Sequence, residues 1–126
     1  MAVTHPTAVR QGICNFVVDQ LDEGTPPGTL VFQTSGDVEV ATLTLANPAF
    51  GAADGSATAT AGTIVSDSSA TGGTIAKARL KNQAGTDKII CSVTASGGGG
   101  DIDLSSVIVS AAQTVSVSSL TYTAPA

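Results

Sequence analysis

Residues 74–95, TIAKARLKNQAGTDKIICSVTA, constrain this chain more than any other stretch. Ala76, Ala78 and Leu80 alternate with Lys77, Arg79 and Lys81, the two-residue period of a strand with one buried face. After a short polar break the period resumes, with Lys88, Ser92 and Thr94 set among Ile89, Cys91, Val93 and Ala95. Two such runs across so short a break form an antiparallel hairpin. A type II′ turn at Gly85-Thr86 places glycine where positive φ is needed, and pairs Leu80 with Cys91 and Ala78 with Val93. A turn at Ala84-Gly85 also matches the faces but sets Lys81 opposite Lys88, where like charges repel. The first register is therefore preferred.

A lone hairpin is marginal in water, so the rest of the chain must cover its apolar face. The 126 residues are expected to form a single domain, 1–126. Only 12% of them are charged and 3% aromatic, although 42% are hydrophobic. A typical chain carries about 25% charged residues, so this surface is unusually neutral. Ala and Val side chains bury little area each, and apolar burial stabilises by about 25 cal/mol per Å². Such a thin core points to a subunit that gains stability from neighbours, the alternative being a monomer with a small core.

Net charge is −5 and the isoelectric point is near 4.3, which disfavours a nucleic-acid partner. The opening MAVTHPTAVR has neither a basic leader nor a continuous apolar run, and no stretch approaches the roughly 20 apolar residues that span a bilayer. No export signal and no membrane partner are expected, so Cys14 and Cys91 are read as free thiols rather than a disulfide.

In chain order, residues 1–5 read as an arm and 6–23 as a helix. Pro6 suits the first turn, and Val9, Ile13, Phe16, Val17 and Leu21 share one predicted face. Gln11, Asn15, Asp19 and Asp22 lie on the other, and Gly24 with Pro26-Pro27 ends the helix. Gly12 in its interior, and Asp19, Asp22 and Glu23 at its negative end, weaken it in isolation. Packing on the sheet or on another subunit must hold it. Residues 29–124 read as strands and turns: an antiparallel β-sandwich or jelly roll of about eight strands. Val38, Val40, Leu43 and Leu45 slip phase at Ala41-Thr42, which predicts a β-bulge there. Val115, Val117, Leu120 and Tyr122 repeat the V-x-V-x-x-L-T pattern, the mark of two strands bending together or a coincidence of composition. Ala57, Ala59 and Ala61 predict a strand suited to a sheet edge or a close backbone contact, and Gly97 to Gly100 a flexible joint.

Chemistry is scarce. His5 is the sole histidine and sits in the arm, which leaves serine or cysteine triads without a base. One histidine and two distant cysteines do not make a zinc set. Asp101 and Asp103 follow four glycines, but GGGGDIDL is out of phase with a calcium nonapeptide repeat and lacks the lysine of a phosphate loop. They read as a solvated strand face, with a divalent cation or a glycosidase carboxylate pair as the weaker alternatives. No catalytic, cofactor or metal residue is assigned. The one polar feature with shape is Lys77, Arg79, Lys81 and Lys88, four of the five basic residues. They form a candidate patch for an acidic surface, such as another copy's Asp19-Asp22-Glu23 cluster, or simply a solvated face whose lysines discourage edge pairing.

The segments MAVTHPTAVR, TSGDVEVATLTLANPAFG, ATGGTIAKA and VSVSSLTYTAPA resemble small virion structural proteins of tailed bacteriophages. The resemblance runs over most of the chain. It implies a non-enzymatic particle protein without a cofactor, assembled in the host bacterial cytoplasm. The type implied is a head decoration or cement protein, a homotrimer that clamps subunits of the major capsid protein from outside. Two other classes remain open: an adhesive tail, spike or head-fibre component, and a small carbohydrate-binding or hydrolytic module using Asp101 and Asp103.

Overall fold

The computed structural model describes residues 4–23 and 27–124. A helix, α1 (Thr7–Asp19), runs into a 3-10 turn at Gln20–Asp22. Among the described residues nine strands follow: β1 (Thr29–Gln33), β2 (Glu39–Thr44), β3 (Thr58–Thr60), β4 (Gly73–Thr74), β5 (Lys77–Lys81), β6 (Asp87–Ala95), β7 (Ile102–Leu104), β8 (Ile108–Val109) and β9 (Thr121–Thr123). The protein is mainly β with one N-terminal helix, as the sequence predicts. Five strands form one sheet in the order β2-β1-β5-β6-β7, and the pairs β3-β9 and β4-β8 form two small sheets. Leu30, Phe32, Leu43, Ala78 and Leu80 from the large sheet are buried in one cluster with Cys14, Val18 and Leu21 and with Ala57 and Ala59.

The β5–β6 hairpin forms, but in the other register. Leu80 pairs with Ile89 and Ala78 with Cys91, and a bulge between Leu80 and Lys81 sets Lys81 opposite Asp87 rather than Lys88. The like-charge clash that favoured the Gly85-Thr86 turn is thereby avoided. Asn82 builds the turn instead: its Oδ1 accepts the N–H groups of Ala84 and Thr86 at 3.0 and 2.8 Å, and Gly85 takes the left-handed conformation at φ +87°.

The bulge in β2 lies one residue earlier than predicted. Phe32 pairs with Ala41 and Gln33 with Glu39, so Val40 is the extra residue, and Val40 and Ala41 are both fully buried. Val38, predicted to face inward, is exposed. The two V-x-V-x-x-L-T segments do not pair with each other. Residues 65–67 run between them: Thr44 bridges Val65, and Asp67 bridges Val115.

One pair departs from the antiparallel expectation. β7 lies parallel to β6, with Val93 beside Ile102 and Ala95 beside Leu104. Parallel neighbours ordinarily need a crossover of about a dozen residues or more. Here residues 96–101 suffice, because the glycine run lets the chain double back against itself. A Cβ on Gly98 would lie 2.6 Å from Cβ of Thr94, and one on Gly100 would lie 2.9 Å from its hydroxyl. The predicted flexible joint is a tight, side-chain-free corner.

The helix is also turned from its predicted orientation. Its buried side chains are Cys14 and Val18, with Leu21 in the following turn, whereas Val9 is 48% and Phe16 68% exposed. The reason lies in the residues expected to face water. The Gln11 amide donates to the Asp54 carbonyl at 2.8 Å, and the N–H groups of Ala53 and Ala49 donate to Asn15 and Asp22, each at 2.8 Å. These bonds fasten the polar side of α1 to the 49–54 loop. The helix meanwhile packs on β3 and β9, where Ala57 and Ala59 permit close approach. Gly24 and Pro26, and the first three residues of the arm, lie outside the described residues.

Candidate interaction surfaces

The basic stripe occupies the outer face of β5, where Lys77, Arg79 and Lys81 project between the buried Ala78 and Leu80. Every member is engaged within the chain. Lys77 contacts the Asp37 carboxylate, which also receives Arg79 at 3.2 Å. Arg79 and Lys81 grip the two oxygens of Asp87 at 2.6 and 2.7 Å, and Arg79 Nε donates to Gln33 at 2.8 Å. Lys88 stands apart, 3.0 Å from Glu23 beyond the helix. Four cations thus face three carboxylates. The acidic cluster proposed as their partner is drawn inward too: Glu23 holds Lys88 and Asp22 holds the Ala49 N–H, while Asp19 stays exposed.

These contacts shape the titration of the acids. Lys77, with Arg79 behind it, holds Asp37 below the usual aspartate range. Lys81 and then Arg79 do the same for Asp87, and Lys88 does so for Glu23. Asp67 is lowered by the Thr42 N–H at 2.9 Å and by Ser69, a carboxylate held by backbone donors on the outer edge of β2.

Asp101 and Asp103 do not converge on a ligand. Asp101 accepts the N–H and hydroxyl of Ser92 at 2.9 and 3.2 Å. Asp103 accepts the Thr94 hydroxyl at 2.6 Å and the Gly100 N–H at 3.1 Å. Their geometry is that of pins fixing the glycine corner to β6. Among the described residues no three His, Cys, Asp or Glu side chains cluster as metal ligands. Among those residues no helix is long and apolar enough to cross a membrane.

Both cysteines are free thiols. Cys14 is fully buried, and its thiol donates to the Tyr122 carbonyl at 3.4 Å. Burial, with the Asp101 charge adding to it, pushes the Cys91 thiol up. That is the reverse of what a nucleophilic cysteine needs. His5 is exposed in the arm.

Two features escaped sequence reasoning. The first is the outward apolar stripe of Val9 and Phe16 on α1, hidden because helical spacing shows which residues share a face but not which face meets the fold. The second is an open cleft of about 400 Å³ between β6 and β9, lined chiefly by Ile89, Cys91, Ile102, Leu120 and Tyr122, with Asp101 at its wall. Its walls come from strands far apart in sequence, so no local pattern marks it.

Comparison of the chain with protein-family models, with curated proteins and with solved structures found no match.

Proposed function

We propose that this protein is a non-enzymatic structural subunit of a phage particle, a capsid decoration protein that binds the outside of the head as a homotrimer and bridges subunits of the major capsid protein. The reading starts from the four segments that resemble virion proteins. The observation that carries it further is the disposition of α1. Its polar side chains are tied to the 49–54 loop, while Val9 and Phe16 face outward. An apolar stripe on a helix held firmly in place suits a contact between subunits. The charged side chains of the β5 face are paired at home, and Asp101 and Asp103 brace the glycine corner against β6. Association through modest contacts, repeated over many copies, fits that inventory.

The experiment is quantitative peptide mass spectrometry of heads and tails separated from purified particles. The chain is expected in heads, in a copy number comparable to that of the coat subunits. Recovery from tails at a few copies would replace this reading with the tail or fibre component. Absence from both fractions would overturn it.

A further inference from the structure

Two strand edges face the same cleft. On β9, the Ala124 N–H bonds to Ala57 at 3.1 Å and the Leu120 carbonyl accepts the Ala61 N–H at 2.8 Å. Residues 120, 122 and 124 therefore direct their main-chain groups toward β3, and strand alternation turns those of Thr121 and Thr123 the opposite way. On β6, the Val93 N–H reaches back to Ala76 beside β5 at 3.1 Å, whereas the Ser92 N–H points outward to Asp101. Ile90, two residues before Ser92, directs its N–H and C=O outward with it. β7 covers only Val93, Thr94 and Ala95, so it stops short of Ile90. Ile90, Thr121 and Thr123 all line the cleft, and among the described residues no strand pairs with either edge at these positions.

The opposite edges are closed. β2 is covered by Asp67 and by the bridge to Val65, and β3 by the N–H groups of Gly51 and Asp54 bonded to Thr60 and Thr58. An open strand edge is a template for another strand, and here two of them flank an apolar floor of Leu80, Ile89 and Ile102. The cleft volume, about 400 Å³, falls in the range of about 300–1,000 Å³ typical of ligand sites.

We propose that this cleft binds an extended segment of another protein, which adds as a strand between β6 and β9 and joins the β3-β9 pair to the large sheet. Main-chain hydrogen bonds on both sides supply the affinity, and alternate apolar side chains enter the floor. A segment in this slot needs both of its edges free, and each of the nine strands among the described residues already has a partner on at least one side. Those strands of a second copy are thereby excluded, and the occupant proposed is a segment of a different protein. Its charge is set as well. Asp101 is the only charged side chain in the lining and the protein is acidic overall, so the guest is neutral or basic.

The test uses the whole protein, isotope-labelled, and a capped heptapeptide of alternating valine and threonine with one lysine. Amide hydrogen exchange is followed residue by residue. Exchange at Ile90, Thr121 and Thr123 is expected to slow on addition of peptide at up to about 1 mM. The same peptide N-methylated at alternate amides should leave these amides unprotected, and glutamate in place of its lysine should weaken binding. Thr121→Pro removes one outward N–H at the start of an edge strand, where proline is tolerated. It should weaken binding about tenfold, the loss of one hydrogen bond, with the remaining amides undisturbed. If that variant does not fold, the N-methylated peptide decides alone. Equal binding of the N-methylated peptide, or no protection at the highest concentration, would overturn the proposal. So would protection at Ile90 that rises with protein concentration alone, because the occupant would then be a second copy. A negative result leaves the decoration reading standing, since that reading is tested on whole particles.

Discussion

The ammonium of Lys81 lies 2.7 Å from one oxygen of Asp87, its cross-strand partner at the mouth of the β5–β6 hairpin, and Arg79 holds the other oxygen at 2.6 Å. Asp87 is one of four carboxylates lowered in the fold, with Glu23, Asp37 and Asp67. On unfolding each returns to its ordinary value, 3.8 for aspartate and 4.5 for glutamate, so the unfolded chain binds more protons across that range. Stability from these groups is therefore complete above the ordinary values and lost as pH falls through the lower folded ones. The melting temperature should stay level from about pH 8 to about pH 6 and decline below about pH 4.5. Asp87→Asn should lower it at neutral pH and make the acid decline shallower. Calorimetry across this pH series checks both.

A second expectation concerns the corner that lets β7 run parallel to β6. Gly98→Ala would place a methyl group 2.6 Å from Cβ of Thr94. It should destabilise the fold by about 1–3 kcal/mol, the cost of overpacking a tight site. Adding Thr94→Gly should recover part of the loss, measured as a non-additive double-mutant cycle in urea.

Gly12 behaves in the opposite way. It lies inside α1 and a Cβ there meets nothing within 4 Å. Gly12→Ala should raise stability by about 0.5–1 kcal/mol through helix propensity alone. Urea denaturation checks it.

The alternation in 29–45 and 74–95 carried four of the five strands of the large sheet and the inward placing of Leu30, Phe32, Leu43, Ala78, Leu80 and Val93. Val38 and Ala95, expected inward, are exposed, and Val31 is buried. What it could not carry was anything set by a distant partner. The hairpin register turned on whether Lys81 must face Lys88, and the bulge that spares it depends on Asn82 gathering the turn. The helix spacing put Val9 and Phe16 inward, because the backbone groups of the 49–54 loop that claim Gln11, Asn15 and Asp22 are remote in sequence. Asp101 and Asp103 were visible as a pair, but their engagement with Ser92 and Thr94 follows from a parallel strand that the usual crossover length argued against. The basic stripe was legible as a stripe. Its partner Asp37 sits some 40 residues away and carried no signal.

The outward stripe on α1 separates folding from association. Phe16 is 68% exposed, so Phe16→Ser should change the stability of the isolated subunit by no more than about 0.5 kcal/mol. It should nonetheless reduce the oligomeric mass seen by light scattering. An unchanged mass would place the subunit contact elsewhere.

The function proposed for this protein is that of a passive building block holding other proteins together on a shell. Its most direct measurement is re-addition of the purified protein to heads stripped of it, followed by the temperature at which those heads release their DNA. Saturable binding to the heads is expected, with a release temperature restored to that of intact particles. Protein that sediments apart from the heads and leaves the release temperature unchanged would contradict it.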